Sequence, residues 1–156
     1  PSRTGMNITP STLKELSKLK NVVAIKEASG NLSQVAEMKA LCGDSIDIYS
    51  GNDDQIVPIM SLGGIGVISV LANVIPKQVH DMTTMYLDGK CHEASKIQLD
   101  TLELANSLFL ETNPIPVKTA LNLMGLNVGP LRLPLYEMDD LLKNSLENTL
   151  KKYKLM

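Results

Sequence analysis

The sequence is poor in the features that mark several classes of protein. It has two cysteines, Cys42 and Cys91, and they stand at no spacing that suits a metal or a redox pair. Reduced thiols in a cytosolic protein are the plain expectation. It has two histidines, His80 and His92. No second ligand follows His80 by one helical turn, because Thr83 and Thr84 are poor zinc ligands. Cys91-His92-Glu93 offers metal-binding residue types, but neighbours along a helix point to different faces. Both histidines therefore read as structural, and no metal site is expected. An excess of basic charge is also missing. The formal net charge is −2, and Lys151-Lys152 suits the end of a helix better than a phosphate backbone, so no nucleic-acid partner is expected. No apolar run approaches the roughly 18 residues that span a membrane. There is no signal-peptide pattern and no low-complexity segment.

What is present fits a globular chain. Of 156 residues, 44% are hydrophobic and 21% charged, enough for one compact domain. Val22 to Ile25 is apolar and mostly β-branched, which predicts a buried strand over 22–26. Val22, Ala24 and Lys26 would share one face of it. Before it, Thr9 caps a helix opened by Pro10, with Leu13, Leu16 and Leu19 as its apolar stripe. After it, Asn31 caps a second helix with Leu32, Val35, Met38 and Leu41 on one face, ending at Gly43. A strand is predicted from Ile46 to Ser50, a helix over 54–62, a mostly apolar strand over 67–70, and a helix from Pro76 to Gly89. Strand and helix alternate every ~20–25 residues, the spacing of parallel βα units. Beyond Gly89 the strand signals stop. Helical patterns cover 91–110, 115–124 and 138–154, with Pro114, Pro116, Pro130 and Pro134 between them. The expected division is a βα part over 1–89 and a helical region over 90–156.

Lys26 stands at the carboxyl end of the first predicted strand, where barrel enzymes place their chemistry. Desolvation of a lysine favours the neutral amine, and a neutral amine can attack a ketone to form a Schiff base. Position alone favours the plainer reading, a lysine that snorkels into solvent. Arg3 lies between a proline and a glycine in a loop, where a guanidinium can clamp a carboxylate. Asp53 and Asp54 suit N-terminal caps of the helix that follows them. Gly63-Gly64-Ile65-Gly66 precedes a strand rather than following one, so it reads as a helix stop and turn, not a phosphate loop. Met82 and Met85 read as packing residues.

Several spaced words then point one way. Ile25-Lys26-Glu27-Ala28-Ser29-Gly30 closely resembles the Schiff-base segment of the dihydrodipicolinate synthase family, and Pro1-Ser2-Arg3-Thr4-Gly5 resembles its arginine loop. Gly63 to Val70, Asn113-Pro114-Ile115-Pro116-Val117-Lys118 and Leu131-Arg132-Leu133-Pro134 are similar to it as well, in the same order along the chain. The resemblance implies an α/β fold, a (β/α)8 TIM barrel, of which this chain would hold the last three βα units and the helical C-terminal region, with the first five strands lying before Pro1. It implies a lyase in which Lys26 forms an imine with pyruvate and the resulting enamine attacks aspartate semialdehyde. The product would be 4-hydroxy-tetrahydrodipicolinate, on the route to diaminopimelate and lysine. It gives Arg3 the carboxylate of the second substrate, the backbone around Gly51 a place in the pocket, and the Ile68 carbonyl a contact with the catalytic centre. It calls for no cofactor and no metal. A cytoplasmic homo-oligomer, a tetramer in the family, is implied, and the piece is expected to need the N-terminal half of the barrel, or a swapped partner, to be soluble and ordered. The family's proton-relay tyrosines and threonine are not among these residues, so the piece alone is expected not to turn over. Two other readings stand beside this one: another Schiff-base aldolase of the superfamily, such as N-acetylneuraminate lyase or a keto-deoxy-sugar-acid aldolase, and a half-barrel without chemistry that serves as an interaction module. The arginine loop and the glutamate after Lys26 favour the first reading over the other aldolases.

Overall fold

The computed structural model of the chain describes residues 4–156. Arg3 lies outside the described residues. Among the described residues, three strands form one parallel sheet in the order β1 (Ala24–Glu27), β2 (Asp47–Ser50), β3 (Gly66–Val67). Lys26 pairs with Tyr49, Glu27 with Ser50, and Ser50 with Val67. The helices are α1 (Pro10–Leu16), α2 (Leu32–Cys42), α3 (Ile56–Ser61), α4 (Pro76–Leu87), α5 (Cys91–Asp100), α6 (Leu102–Ser107), α7 (Ile115–Leu123) and α8 (Asp140–Lys152). Parallel neighbours need crossovers, and α2 and α3 supply them. The alternating βα pattern and the helical stretch after Gly89 are both as the sequence predicts.

Caps set the element starts. The Thr9 side chain accepts from the Thr12 N–H, with Pro10 at the first helical position, and Asn31 accepts from the Gln34 N–H. Gly63, at φ +92°, stops α3; its N–H donates to the Met60 carbonyl, and that of Gly64 donates to the Ile59 carbonyl.

Several boundaries differ from expectation. Strand β1 starts at Ala24, because the Val22 N–H is held in the turn after α1 by the Leu19 carbonyl. The strand is also covered on one side only. Glu27 is buried while Ala24 and Lys26 face an open side. On α2 the buried apolar residues are Val35, Met38 and Cys42, with Gln34 buried beside them, while Leu32 and Leu41 are exposed. A strict spacing of three drifts ~60° per step around a helix, so a run of four such residues cannot stay on one face. Strand β3 is shorter than 67–70, because Ser69, Val70 and Leu71 leave the sheet to bond the Asp53 side chain. The helix expected over 54–62 divides into a 3-10 turn, Asp53–Gln55, and α3. Gln98 on α5 spans that junction: its amide donates to the Asp53 carbonyl and accepts from the Val57 N–H.

Two apolar clusters result. The smaller joins Leu13, Val35, Met38, Ile46, Ile48 and Ile59 beneath the sheet. The larger runs from α3 and α4 into the C-terminal helices, through Ile56, Met60, Met82, Leu104, Leu146 and Leu150. Met82 is fully buried and Met85 packs against the same cluster. Helix α3 alone among the described elements serves both, Ile59 facing one cluster and Ile56, Val57 and Met60 the other. Among the described residues no helix is long and apolar enough to cross a membrane.

Candidate active site

An open cleft of about 800 Å³ lies at the carboxyl ends of the strands. Its walls include Lys26 from β1, Gly51 just after β2, Val70 beyond β3, and Asn7 from the segment before α1. The far wall comes from the helical region, with Phe109 and Glu111.

Alternation along β1 decides which of its charged pair faces the cleft. Lys26 takes the open side and Glu27 the helix-covered side. The lysine side chain lies across Gly51. A Cβ at that glycine would stand 2.9 Å from Lys26 Cε and 2.8 Å from the Ala28 Cβ, inside any real contact distance. Gly51 is needed here for its bare Cα. Its N–H already donates to the Glu27 carbonyl at 2.7 Å, so what remains for a ligand is its carbonyl edge. The structure thus brings together Lys26 and Gly51, two of the residues singled out in the sequence. Ile68 is half exposed, and its N–H donates to the Ser50 carbonyl at 2.8 Å. The described wall of the cleft on that side is Val70 rather than Ile68.

Asp53 does not cap the helix that follows it, contrary to expectation; its carboxylate serves a different segment. It is 2% exposed, and its carboxylate accepts from the Ser69 hydroxyl, the Val70 N–H at 3.0 Å and the Leu71 N–H at 2.9 Å. It fastens the chain after β3 to the turn after β2, instead of serving the helix that follows it. Among the described residues no group of three or more histidine, cysteine, aspartate or glutamate side chains could hold a metal ion. His80 sits on the exposed face of α4 beside Asp81, and His92 is exposed on α5. Away from the cleft, the Lys77 ammonium hydrogen-bonded to Asp81, and then His80, hold the Asp81 carboxyl below its ordinary range.

The sequence model of the dihydrodipicolinate synthetase family matches residues 1–153. The chain belongs to that family. A 4-hydroxy-tetrahydrodipicolinate synthase of Clostridium novyi (strain NT) is 67% identical to it over 152 residues, 95% of this chain and 51% of that protein. A crystal structure of a dihydrodipicolinate synthase matches with a TM-score of 0.95 at 48% identity, over 100% of this chain and 54% of that one. The chloride-inhibited dihydrodipicolinate synthase from Acinetobacter baumannii, complexed with pyruvate, matches with a TM-score of 0.95 at 33% identity, again over 100% of this chain and 54% of that one. The chain spans about half the length of the curated relatives it matches.

For a member of the dihydrodipicolinate synthetase family, the site holds more than the residues named from sequence. Glu27 is 3% exposed. Its carboxylate accepts from the Ser29 N–H at 2.5 Å and from the Gln34 amide at 3.0 Å. Gln34 in turn forms a two-way amide pair with Asn7, at 2.6 and 3.3 Å. Alternation along β1 supplies the signal for this once Lys26 is placed on the cleft side. A glutamate next to a cleft-facing lysine must point at the helix layer, and a buried carboxylate needs donors. The wall at 109–113 gives no such signal, because only tertiary folding carries the helical region back over the strand ends.

Proposed function

We propose that this chain carries the Schiff-base lysine of a lyase that condenses pyruvate with aspartate semialdehyde, giving 4-hydroxy-tetrahydrodipicolinate on the route to diaminopimelate and lysine. The observation that carries the reading is Lys26 at the carboxyl end of β1, facing the cleft and laid over Gly51. The lysine amine adds to the pyruvate ketone, and water leaves as the imine forms. The protonated imine accepts the electron pair freed when the methyl group loses a proton. The enamine carbon then attacks the aldehyde carbon of the second substrate. That substrate's own amine adds to the imine carbon, closes the ring and expels Lys26. Arg3 would hold the aldehyde substrate's carboxylate through paired hydrogen bonds. The Gly51 carbonyl edge and the Ile68 carbonyl would line the pyruvate end. The organic electron sink is the lysine imine, so the reaction needs neither a cofactor nor a metal.

In this reading the three strands are the last three of an eight-stranded barrel, and 90–156 is the helical region packed against it. Three parallel strands cannot close a barrel. The exposed side of β1, with Ile65, Ile68 and Phe109 also exposed, suits a surface that the first five strands would cover. The same exposure favours self-association in a cytoplasmic enzyme. The isolated 156 residues should not turn over, since general acid–base help worth ~10²–10⁴-fold would come from outside them.

Reductive trapping tests the assignment. The natural gene product that carries these residues is incubated with pyruvate and borohydride, and the adduct is mapped by peptide mass. It should sit on Lys26. An adduct on Lys118 or another lysine would overturn the reading.

A further inference from the structure

We infer that Gln34 is a positioning residue that ties the strand end bearing Lys26 to the 4–8 wall of the same cleft, through Glu27 on one side and Asn7 on the other. The inference rests on the reading of Lys26 as the imine-forming residue. Gln34 stands three residues after the cap Asn31, where a glutamine side chain ordinarily folds back onto the N–H of its own cap. It does not do so here. The Asn31 N–H donates instead to the Ser29 hydroxyl at 3.1 Å, and the Gln34 amide is free to reach away from its helix. Its nitrogen donates to Glu27 Oε2 at 3.0 Å and to Asn7 Oδ1 at 3.3 Å, and its oxygen accepts from Asn7 Nδ2 at 2.6 Å. Both amide hydrogens and the carbonyl are thus committed to two walls of one cleft.

Each end of this link has little else to replace it. Glu27 is buried, and its two oxygens are served by one backbone N–H and by Gln34. Losing the Gln34 donor would strand Oε2 in a place water does not reach, directly after Lys26. On the other side, Met6 and Ile8 are exposed at 76% and 46%, so packing does not hold the segment. Among the described residues, the hydrogen bonds from 4–8 to another element run through Asn7. The link therefore sets two things at once: the turn that orients Lys26 and the wall that a second substrate meets.

The two halves can be separated by substitution in the natural gene product. Asn7→Ala removes the outer half from an exposed position and leaves the Gln34–Glu27 bond. It should leave the rate of borohydride trapping with pyruvate nearly unchanged and raise KM for aspartate semialdehyde by roughly tenfold, the loss of one well-made hydrogen-bonded pair. Gln34→Leu keeps the volume and removes both halves. It should slow trapping by roughly tenfold or more and raise KM as well. Melting temperature, read beside each, separates positioning from unfolding. Wild-type trapping by a folded Gln34→Leu protein would overturn the inference. If that variant does not fold, an unchanged KM in Asn7→Ala overturns it instead. Failure of the wild-type protein to trap pyruvate at Lys26 is a different result, and it would sink the reading of the lysine itself.

Discussion

Ser69 donates its hydroxyl to the buried carboxylate of Asp53, and that bond joins the loop after β3 to the turn after β2. Two backbone N–H groups converge on the same carboxylate. Asp53→Asn keeps the shape but sets an NH2 group against donors. It should destabilise the protein by about 1–3 kcal/mol, and Ser69→Ala by less, because the hydroxyl is only one of the three donors and its loss leaves the two N–H bonds in place. Urea denaturation of the two variants would show the order, and equal losses would mean that the backbone N–H bonds contribute little.

Gly51→Ala tests the bare Cα beneath Lys26. The backbone there lies outside the left-handed region, so space alone is at issue. The added methyl group meets a flexible lysine on one side and the fixed Ala28 Cβ on the other. The lysine should give way. We expect a stability loss of about 1–3 kcal/mol from overpacking, and a fall in the rate of pyruvate trapping on the order of 10²-fold from misplacing the amine. A variant that traps pyruvate at the wild-type rate would show that Lys26 does not need its present path.

Arg3→Ala should raise KM for aspartate semialdehyde and spare imine formation with pyruvate. Losing one charge-assisted contact corresponds to about 1.5–3 kcal/mol in kcat/KM. Steady-state kinetics with each substrate varied in turn would check it. A defect in pyruvate trapping instead would assign the arginine to the first substrate.

Asp81 gives a pH signature. Its carboxyl is held below its ordinary value of 3.8 by Lys77 first and His80 second. A carboxyl whose pKa is lower folded than unfolded stabilises the fold above the unfolded value, and that gain disappears as pH falls through the folded one. The melting temperature of Asp81→Asn should therefore lie slightly below wild type at neutral pH and converge with it below pH 3.8. The gap will be small, because the pair is solvated. A gap that widens in acid would reverse the sign of the assignment.

Signals carried by adjacent residues were legible in the sequence. Thr9-Pro10, Asn31 and Gly63-Gly64 each act on the backbone beside them, so the helix starts and the stop after α3 could be read directly. Lys26 and Gly51 were legible because each directly follows or ends a strand signal. Distant partners hid the rest. The length of β3 is decided by Asp53, which bonds Val70 from 17 positions away, and the break before α3 is spanned by Gln98, 45 positions from Asp53. No local pattern encodes such a choice. The buried side of β1 followed the same logic. Its apolar run gave the strand, but which face would be covered depended on where α1 and α2 came to lie.

Helix α3 is six residues long, yet it faces two separate clusters. Among the described elements it is the one that packs side chains into both clusters, while the pairing of β2 with β3 joins them through the backbone. A cavity at Ile59 would weaken the grip on one side, and one at Met60 on the other. Either would let hydrogen exchange in α1 and α2 part company with exchange in the C-terminal helices, turning one foldon into two.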